Sequence, residues 1–365
     1  MWIWQQKSWP AFHWDRQQLS PLLRETQFLQ GTLYGSSQIA DAAQTTLDAM
    51  LANIIYSSDI EGEKLNAHSV RSSLAVHLGV QTDLPYPVDK KTEGLVESAL
   101  DAINNLDAPL NETRLLHWHR LLFPENHAIL HTIVGGKFRD GPVQVVSGRI
   151  DKPVIHFEGP EASRINVEIS AFTAWFNESR RDTTLDPLLR AGIAHLWFLT
   201  IHPFEDGNGR IGRLIMDLAL AQAEQRTVRL YAMSRTINER RKAYYEVIEK
   251  TQKGELDITV WLTWFLNTLK ASIEQTQELI AQTVFKAKYW RFFDASSLNA
   301  EQVKVLNRML DGDFELGINN TQYKAVAGVS RATATRHLAQ LCELGFLQTG
   351  EAGGRSVRYK LPQIS

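Results

Sequence analysis

Residues 202–213 read HPFEDGNGRIGR and bring together one imidazole, two adjacent carboxylates, a Gly-Asn-Gly turn and two arginines three apart. That is far more chemistry than packing requires. Gly207 and Gly209 allow positive φ and close approach on either side of Asn208, so successive backbone N–H groups can turn toward an anion. A helix starting near Arg210 adds its N-terminal dipole, and the forked guanidiniums of Arg210 and Arg213 suit phosphate oxygens. Asp206 stands just before the turn, where a carboxylate can hold a hard cation such as Mg²⁺ that bridges phosphates. His202, with an ordinary pKa near neutral pH, is the obvious general base for a hydroxyl attacking an α-phosphate. The set describes nucleotidyl transfer at a polyphosphate site; the bland alternative is a polar helix start without a ligand. No lysine stands in a GxxxxGK[ST] frame, and only His195 lies close to His202, which argues against an ordinary phosphate-binding loop and against a metallohydrolase.

The elements that must position this stretch are nearly all helical. Residues 187–201, which include LLRAGIAHLWFLTI, are apolar nearly all round and predict the buried central helix, with His195 a satisfied core histidine rather than a catalytic one. Helices are also expected over 165–176, 90–106, 111–122 and from Asn66 as a cap through Leu78, with Pro85 and Pro87 marking a loop. Upstream, the spacing of Ala43, Leu47, Met50, Leu51, Ile54 and Ile55 predicts an amphipathic helix over about 39–62, which Gly62 can end in a left-handed conformation. Ser57 and Glu61 share one face near its C-terminus, where the dipole disfavours a carboxylate, so Glu61 is either solvated or partnered from elsewhere. Between 135 and 160 two β-prone runs, 143–146 (Val143, Gln144, Val145, Val146) and 154–157, flank Ser-Gly-Arg-Ile-Asp-Lys and read as a hairpin. Its edge is either a structural flap or a template for an added peptide strand. The first sixteen residues carry Trp2, Trp4, Trp9, Phe12 and Trp14, expected to pack as a strap over the helical body, with a ligand-stacking site as the alternative.

Beyond the signature, the run from 241 to 273 supplies two helices and residues 275–292 a long linker helix. From about Asn299 three helices and then two strands around a glycine-rich turn follow in winged-helix order, with Ser330 as cap and 331–344 as the recognition helix. Arg331, Arg336 and His337, with Arg355 and Arg358 in the wing, could meet DNA phosphates. Residues 299–365 hold eight Lys and Arg against six Asp and Glu, a bias small enough to leave protein interaction or dimerisation equally open. The expected organisation is 1–110, a Trp-rich start and helical region; 111–272, the catalytic core; 273–298, the linker; and 299–365, the winged helix. The fold class is mainly α with a small β-hairpin flap and a C-terminal winged helix-turn-helix.

Composition sets the outer limits. The 365 residues contain 39 Lys and Arg against 41 Asp and Glu, a formal net charge of −2, so no global field draws the chain to nucleic acid or anionic membrane. One cysteine, Cys342, excludes an intrachain disulfide and a thiolate metal cluster, and it reads as a small buried hydrophobe. The start lacks a signal-peptide pattern and no run of about 18 apolar residues occurs, so the reading is cytoplasmic without membrane contact. Apolar helix faces make a homodimer plausible.

Residues 202–213 match the Fic-family signature HxFx[DE]GNGRxxR at every specified position. The resemblance extends, more weakly, over about 39–269, including GKFR before the hairpin. The Trp-rich start resembles a segment preceding this core in a bacterial subgroup, and a winged helix is a common C-terminal companion. The resemblance implies transfer of AMP from ATP, with Mg²⁺ or Mn²⁺, to a Ser, Thr or Tyr hydroxyl of a protein target or of the chain itself. In that reading His202 is the base and Asp206 the metal ligand. Asn208 with the Gly207 and Gly209 amides forms the phosphate cradle, Arg210 and Arg213 contact the β- and γ-phosphates, and Phe204 is an apolar anchor. Tyr244 and Tyr245 belong to the nucleotide pocket, and the hairpin aligns the target. The family's inhibitory motif [ST]xxxE[GN] is met by Ser57, Glu61 and Gly62, which implies that Glu61 pairs with Arg213 and keeps the γ-phosphate out. The alternatives are a de-AMPylating or bifunctional enzyme, in which Glu61 positions water, and a DNA-binding regulator with a nucleotide-sensing core.

Overall fold

The computed structural model describes residues 1–36, 42–81, 86–124, 133–149, 152–227, 230–350 and 357–363. The chain divides into two compact units, Met1–Glu274 and Gln275–Ser365. The first is built around α7 (Pro187–Ile201), in which every residue from Leu188 to Ile201 is buried, as its all-round apolar sequence requires. Asp186 starts this helix by accepting from the Leu188 N–H, and Pro187 fills the first helical position, where no intrahelical donor is needed. His195 lies within it at 0% exposure; its Nδ1 donates to the Gly212 carbonyl and its Nε2 accepts from the Tyr244 hydroxyl, so it is a satisfied core histidine.

The helices before α7 are α1 (Arg16–Ser36), α2 (Ala42–Ile60), α3 (Ala67–Leu78), α4 (Lys90–Asn104), α5 (Glu112–Leu122) and α6 (Ile165–Glu178). Asn66 caps α3 and Gly79 ends it in the left-handed region. After α7 come α8 (Asn208–Glu224), α9 (Met233–Glu239), α10 (Arg241–Gln252) and α11 (Thr259–Phe292). Helix α8 packs along α7, while α2 packs against α3, α9 and α8, which brings its C-terminal end to the start of α8. The expected helix start at Ile39, the loop proline Pro85 and the hairpin residues Ile150 and Asp151 lie outside the described residues.

The hairpin forms as β1 (Gln144–Arg149) antiparallel to β2 (Lys152–Glu158), with longer strands and a shorter connection than the β-prone runs suggested. Strand pairing continues through Ser147, Gly148 and Arg149, opposite Val154, Pro153 and Lys152. The aromatic start braces β2 from behind. Trp2 packs edge-on against Phe157, the Trp4 indole donates to the Glu158 carbonyl, and the Trp9 indole donates to Glu168. A two-stranded sheet that is marginal alone is therefore pinned on one strand, while all of β1 is exposed.

Helix α11 runs unbroken through the stretch expected to end one helix at 273 and the linker helix expected from 275, since no proline or glycine interrupts it. The second unit contains α12 (Ala300–Leu310), α13 (Asn320–Ala327) and α14 (Arg331–Glu343), then β3 (Gln348–Thr349) antiparallel to β4 (Tyr359–Lys360). Its own core includes Leu306, Tyr323, Leu338, Leu341 and Phe346, and the partly buried Cys342 packs against it. Ser330 caps α14 through the Thr333 N–H. His337 is buried and bonded to Tyr323 and Asn299, so it belongs to this core and is no phosphate contact. Arg331 and Arg336 are exposed, Arg358 donates to the Gly317 carbonyl, and Arg355 lies outside the described residues.

Candidate active site

The signature loop leaves α7 at His202, whose backbone is left-handed (φ 50°, ψ 58°) and whose N–H still bonds to Phe198. For a side chain with a Cβ that conformation costs of order 1–3 kcal/mol and persists only where the surroundings enforce it. Arg139 supplies part of that enforcement, with Nε donating to the His202 carbonyl at 2.7 Å and Nη2 to the Pro160 carbonyl at 2.6 Å. The His202 Nδ1 lies 3.1 Å from the Leu199 carbonyl and so carries the ring proton, which leaves Nε2 as an acceptor. Burial pushes the ring pKa down to about 4, so the imidazole is neutral at ordinary pH. Phe157 of the hairpin covers it, with ring centroids 6.2 Å apart.

The turn itself is held from inside. Asn208 accepts from the Phe204 N–H at 2.9 Å and donates to the Phe204 carbonyl at 2.8 Å, so its side chain braces the loop and only its backbone N–H is available to a cradle. Gly207 adopts φ 84° as the N-cap of α8, and a Cβ there would stand 2.8 Å from the Phe123 ring. Phe204 is fully buried against His119, the two rings stacked 4.0 Å apart. His119 accepts from the Gly136 N–H and donates through Nε2 to the Asp206 carbonyl, with its pKa lowered to about 4 by burial. The Asp206 carboxylate accepts from the Gly207 N–H and is half exposed, leaving oxygen lone pairs for a cation.

Arg213 is buried to 1% and meets the end of α2. Its Nε donates to Ser57 Oγ at 2.8 Å, and its Nη2 donates to the Ser57 carbonyl at 2.8 Å and to Glu61 Oε1 at 2.7 Å. Burial works against its charge, but the Glu61 carboxylate together with Tyr244 and Tyr245 offsets this and holds its pKa above the ordinary value. Its Nη1 is buried without a hydrogen-bond partner. Gly62 makes the turn at φ 81°, which directs Glu61 across the start of α8. A Cβ on Gly209 would lie 2.0 Å from Glu61 Oε1, so the second glycine of the turn is what admits the carboxylate. Arg210 is likewise occupied, with Nη1 donating to Glu63 Oε2 at 2.7 Å, Glu63 also pairing with Lys91, and Nε left without a partner.

His202, Asp206, Gly207, Asn208, Gly209 and Glu61 open onto one cavity of about 630 Å³, closed on one side by Val145 and Val146 of the hairpin and on the other by Tyr244 and Tyr245. Val143 precedes β1 and closes the hairpin base, accepting from the Gly159 N–H. Tyr245 is half exposed and donates to the Ile60 carbonyl, whereas Tyr244 is buried behind it on His195. Among the described residues no group of three or more His, Cys, Asp or Glu side chains could by itself hold a metal ion. No helix of the described residues is long and apolar enough to cross a membrane.

The Fic/DOC family model matches residues 109–220, which span α5 to α8 and the whole signature. This chain contains a Fic domain. A second family model, a domain of unknown function (DUF4172), matches residues 2–80, and so takes in the aromatic start and α2. A protein adenylyltransferase Fic from Culex quinquefasciatus is 27% identical over 214 residues, 57% of this chain and 38% of that protein. The one from Drosophila melanogaster is 27% identical over 215 residues, covering 57% and 39%. The alignment thus spans less than half the length of these relatives. Among solved structures, a Fic family protein from Desulfovibrio desulfuricans G20 superposes with TM-score 0.55 at 19% identity over 97% of this chain and 98% of that one. A Fic domain containing signaling protein from Bacteroides thetaiotaomicron gives TM-score 0.52 at 18% identity over 70% and 95%, and both share the fold.

Around the signature loop, three contributors carried no distinctive sequence signal. His119 sits in an ordinary amphipathic helix, Arg139 was visible only as part of GKFR, and Glu63 follows Ser57–Gly62 as an unremarked acid. Each acts through a partner far along the chain, 87 residues for His119 and 147 for Glu63.

Proposed function

We propose that the chain is a self-inhibited protein adenylyltransferase that moves AMP from ATP to a Ser, Thr or Tyr hydroxyl of a protein. The observation that carries this reading is Arg213: a buried guanidinium in the second turn of α8, its Nη2 claimed by Glu61 and its Nη1 left without a partner. In the active arrangement a γ-phosphate takes the place of the Glu61 carboxylate. The N–H groups at the start of α8 face the phosphate chain. The acceptor hydroxyl gives its proton to His202 Nε2 as its oxygen bonds the α-phosphorus, and the bond from that phosphorus to the pyrophosphate oxygen breaks. Asp206, a half-exposed carboxylate beside the turn, would hold Mg²⁺ or Mn²⁺, which would neutralise phosphate charge there. The exposed β1 edge offers main-chain groups to an extended target segment.

The test is mass spectrometry of the Glu61→Gly protein after incubation with each nucleoside triphosphate and Mg²⁺. Adenylylated peptides with ATP are expected, and transfer to an added protein acceptor is lost when His202→Ala is added; no adduct with any triphosphate would sink the proposal. Glu61 also lines the cavity beside His202, which favours a second reading in which it positions water to remove AMP. Loss of label from a pre-modified protein separates that direction from transfer. For the second unit, read as a winged helix, exposed Arg331 and Arg336 on the Ser330-capped α14 favour DNA contact.

A further inference from the structure

The hairpin carries a constellation that neither phosphate binding nor strand addition uses. Ser147 on β1 lies with Oγ 2.6 Å from Nε2 of His156 on β2, and His156 Nδ1 lies 2.7 Å from Glu249 Oε2 on α10. The other Glu249 oxygen accepts from Lys253 at 2.5 Å, and these bonds hold the carboxylate ionised, its pKa below the ordinary range. An ionised carboxylate can only accept, so Nδ1 bears the ring proton and Nε2 is left to accept from the serine hydroxyl. Hydroxyl, imidazole and carboxylate thus stand in the order of a nucleophile, its base and the group that orients the base.

Location gives this arrangement a substrate. Ser147, His156 and Glu249 all line the cavity that holds His202, Asp206 and the glycine turn. Ser147 lies two residues, about 7 Å, along β1 from Val145, which pairs with the Phe157 that covers His202. The register slips between Val145 and Val146, leaving His156 as the unpaired residue of β2, a position where a bulge re-aims a side chain. Ser147 is exposed, so its hydroxyl is open to an incoming phosphorus. A structural tie between hairpin and α10 needs only His156 and Glu249; it gives no reason for a hydroxyl on the base nitrogen.

We propose that Ser147 is the chain's own acceptor, a self-modification site for the nucleotidyl group, with His156 as its base and Glu249 orienting that base. The inference rests on the adenylyl-transfer reading above. Ser147 Oγ forms a bond to the α-phosphorus of ATP, and the bond from that phosphorus to the bridging oxygen breaks and releases pyrophosphate. The hydroxyl proton passes to His156 Nε2, and the Glu249 carboxylate stabilises the imidazolium. The product places an anionic nucleotide on β1, the strand whose edge is free for a target, so self-modification closes the enzyme to other acceptors.

The experiment is a time course of the full-length Glu61→Gly protein with ATP and Mg²⁺, with adenylylated peptides mapped and quantified. Ser147 is expected to be the principal adduct. Ser147→Ala removes it and lowers total incorporation about 10-fold, Ser147→Thr keeps it, and His156→Asn slows it by about 100-fold, the usual contribution of a general base. A His156→Asn protein that labels Ser147 at the parent rate overturns the role of the base. Label on other hydroxyls with Ser147 unmodified overturns the inference and leaves adenylyl transfer standing, whereas no label on any residue overturns adenylyl transfer itself.

Discussion

Replacing Glu61 by Gly removes one of the three bonds that engage Arg213, the charge-assisted bond of 2.7 Å, and leaves the two to Ser57 to keep the guanidinium in place. A hydrogen bond to a charged group contributes about 1.5–3 kcal/mol. Glu61 is 30% exposed, so solvent screening places this one in the lower part of that range, about 1.5–2 kcal/mol. That is the free energy a γ-phosphate must overcome to reach Arg213, and it corresponds to about 10- to 30-fold in productive nucleotide binding. The assay is incorporation of label from ATP well below saturation, with thermal unfolding as a check that the variant is folded. Glu61→Gly is expected to gain about 10- to 30-fold. Glu61→Gln should fall between it and the parent, because an amide oxygen still accepts but without charge. A folded Glu61→Gly protein gaining less than about twofold would refute the reasoning, since the bond removed would then oppose nothing.

Glu63 holds Arg210 as Glu61 holds Arg213, but it is 25% exposed and shared with Lys91, which limits its competition to about 1 kcal/mol. Adding Glu63→Ala to Glu61→Gly should therefore lower the ATP concentration for half-maximal rate about 5-fold at unchanged maximal rate; an unchanged or raised concentration contradicts this. His195 and His119 are pushed by burial from 6.5 to about 4. The unfolded chain thus binds their protons first, and the stability they contribute is complete above pH 6.5 and is lost as pH falls toward 4. The loss is about 1.4 kcal/mol per pH unit for each ring, read from urea midpoints at pH 7 and pH 5, and equal midpoints would rule it out. If α14 contacts DNA, a gel shift of the full chain at low salt should weaken on Arg331→Ala with Arg336→Ala and show a shallower salt dependence. Failure of the parent chain to shift any DNA at low salt rules out that role.

Much of the site was legible in the residues alone, and for local reasons. The Gly207 turn, the start of α8 within two residues of Arg210, the Asn66 and Ser330 caps and the all-round apolar α7 follow from propensities and bonds made within a few residues. The carboxylate of Glu61, at a helix C-terminus that disfavours it, left a solvated or a partnered side chain open, and only the resemblance named Arg213. Less was legible where a residue's role lies across the fold. His337 looks like any basic residue on a recognition helix until Tyr323 and Asn299 are packed on it. The Asn208 side chain looks like a phosphate ligand until both ends of its amide are seen on Phe204, which leaves only the backbone N–H for that role.

The sequence by itself determined which groups are present and the local geometry of the anion-binding turn, because a glycine's freedom, a cap and a helix dipole act within one or two turns of chain. Only the tertiary structure decided which charges meet. The partners of Arg213 and Arg210 lie 152 and 147 residues away, and Glu249 lies 93 residues from His156. Such pairs depend on how α2, the hairpin and α10 pack onto α7 and α8. In a buried site, that packing determines whether an arginine awaits a phosphate or is already held by a carboxylate.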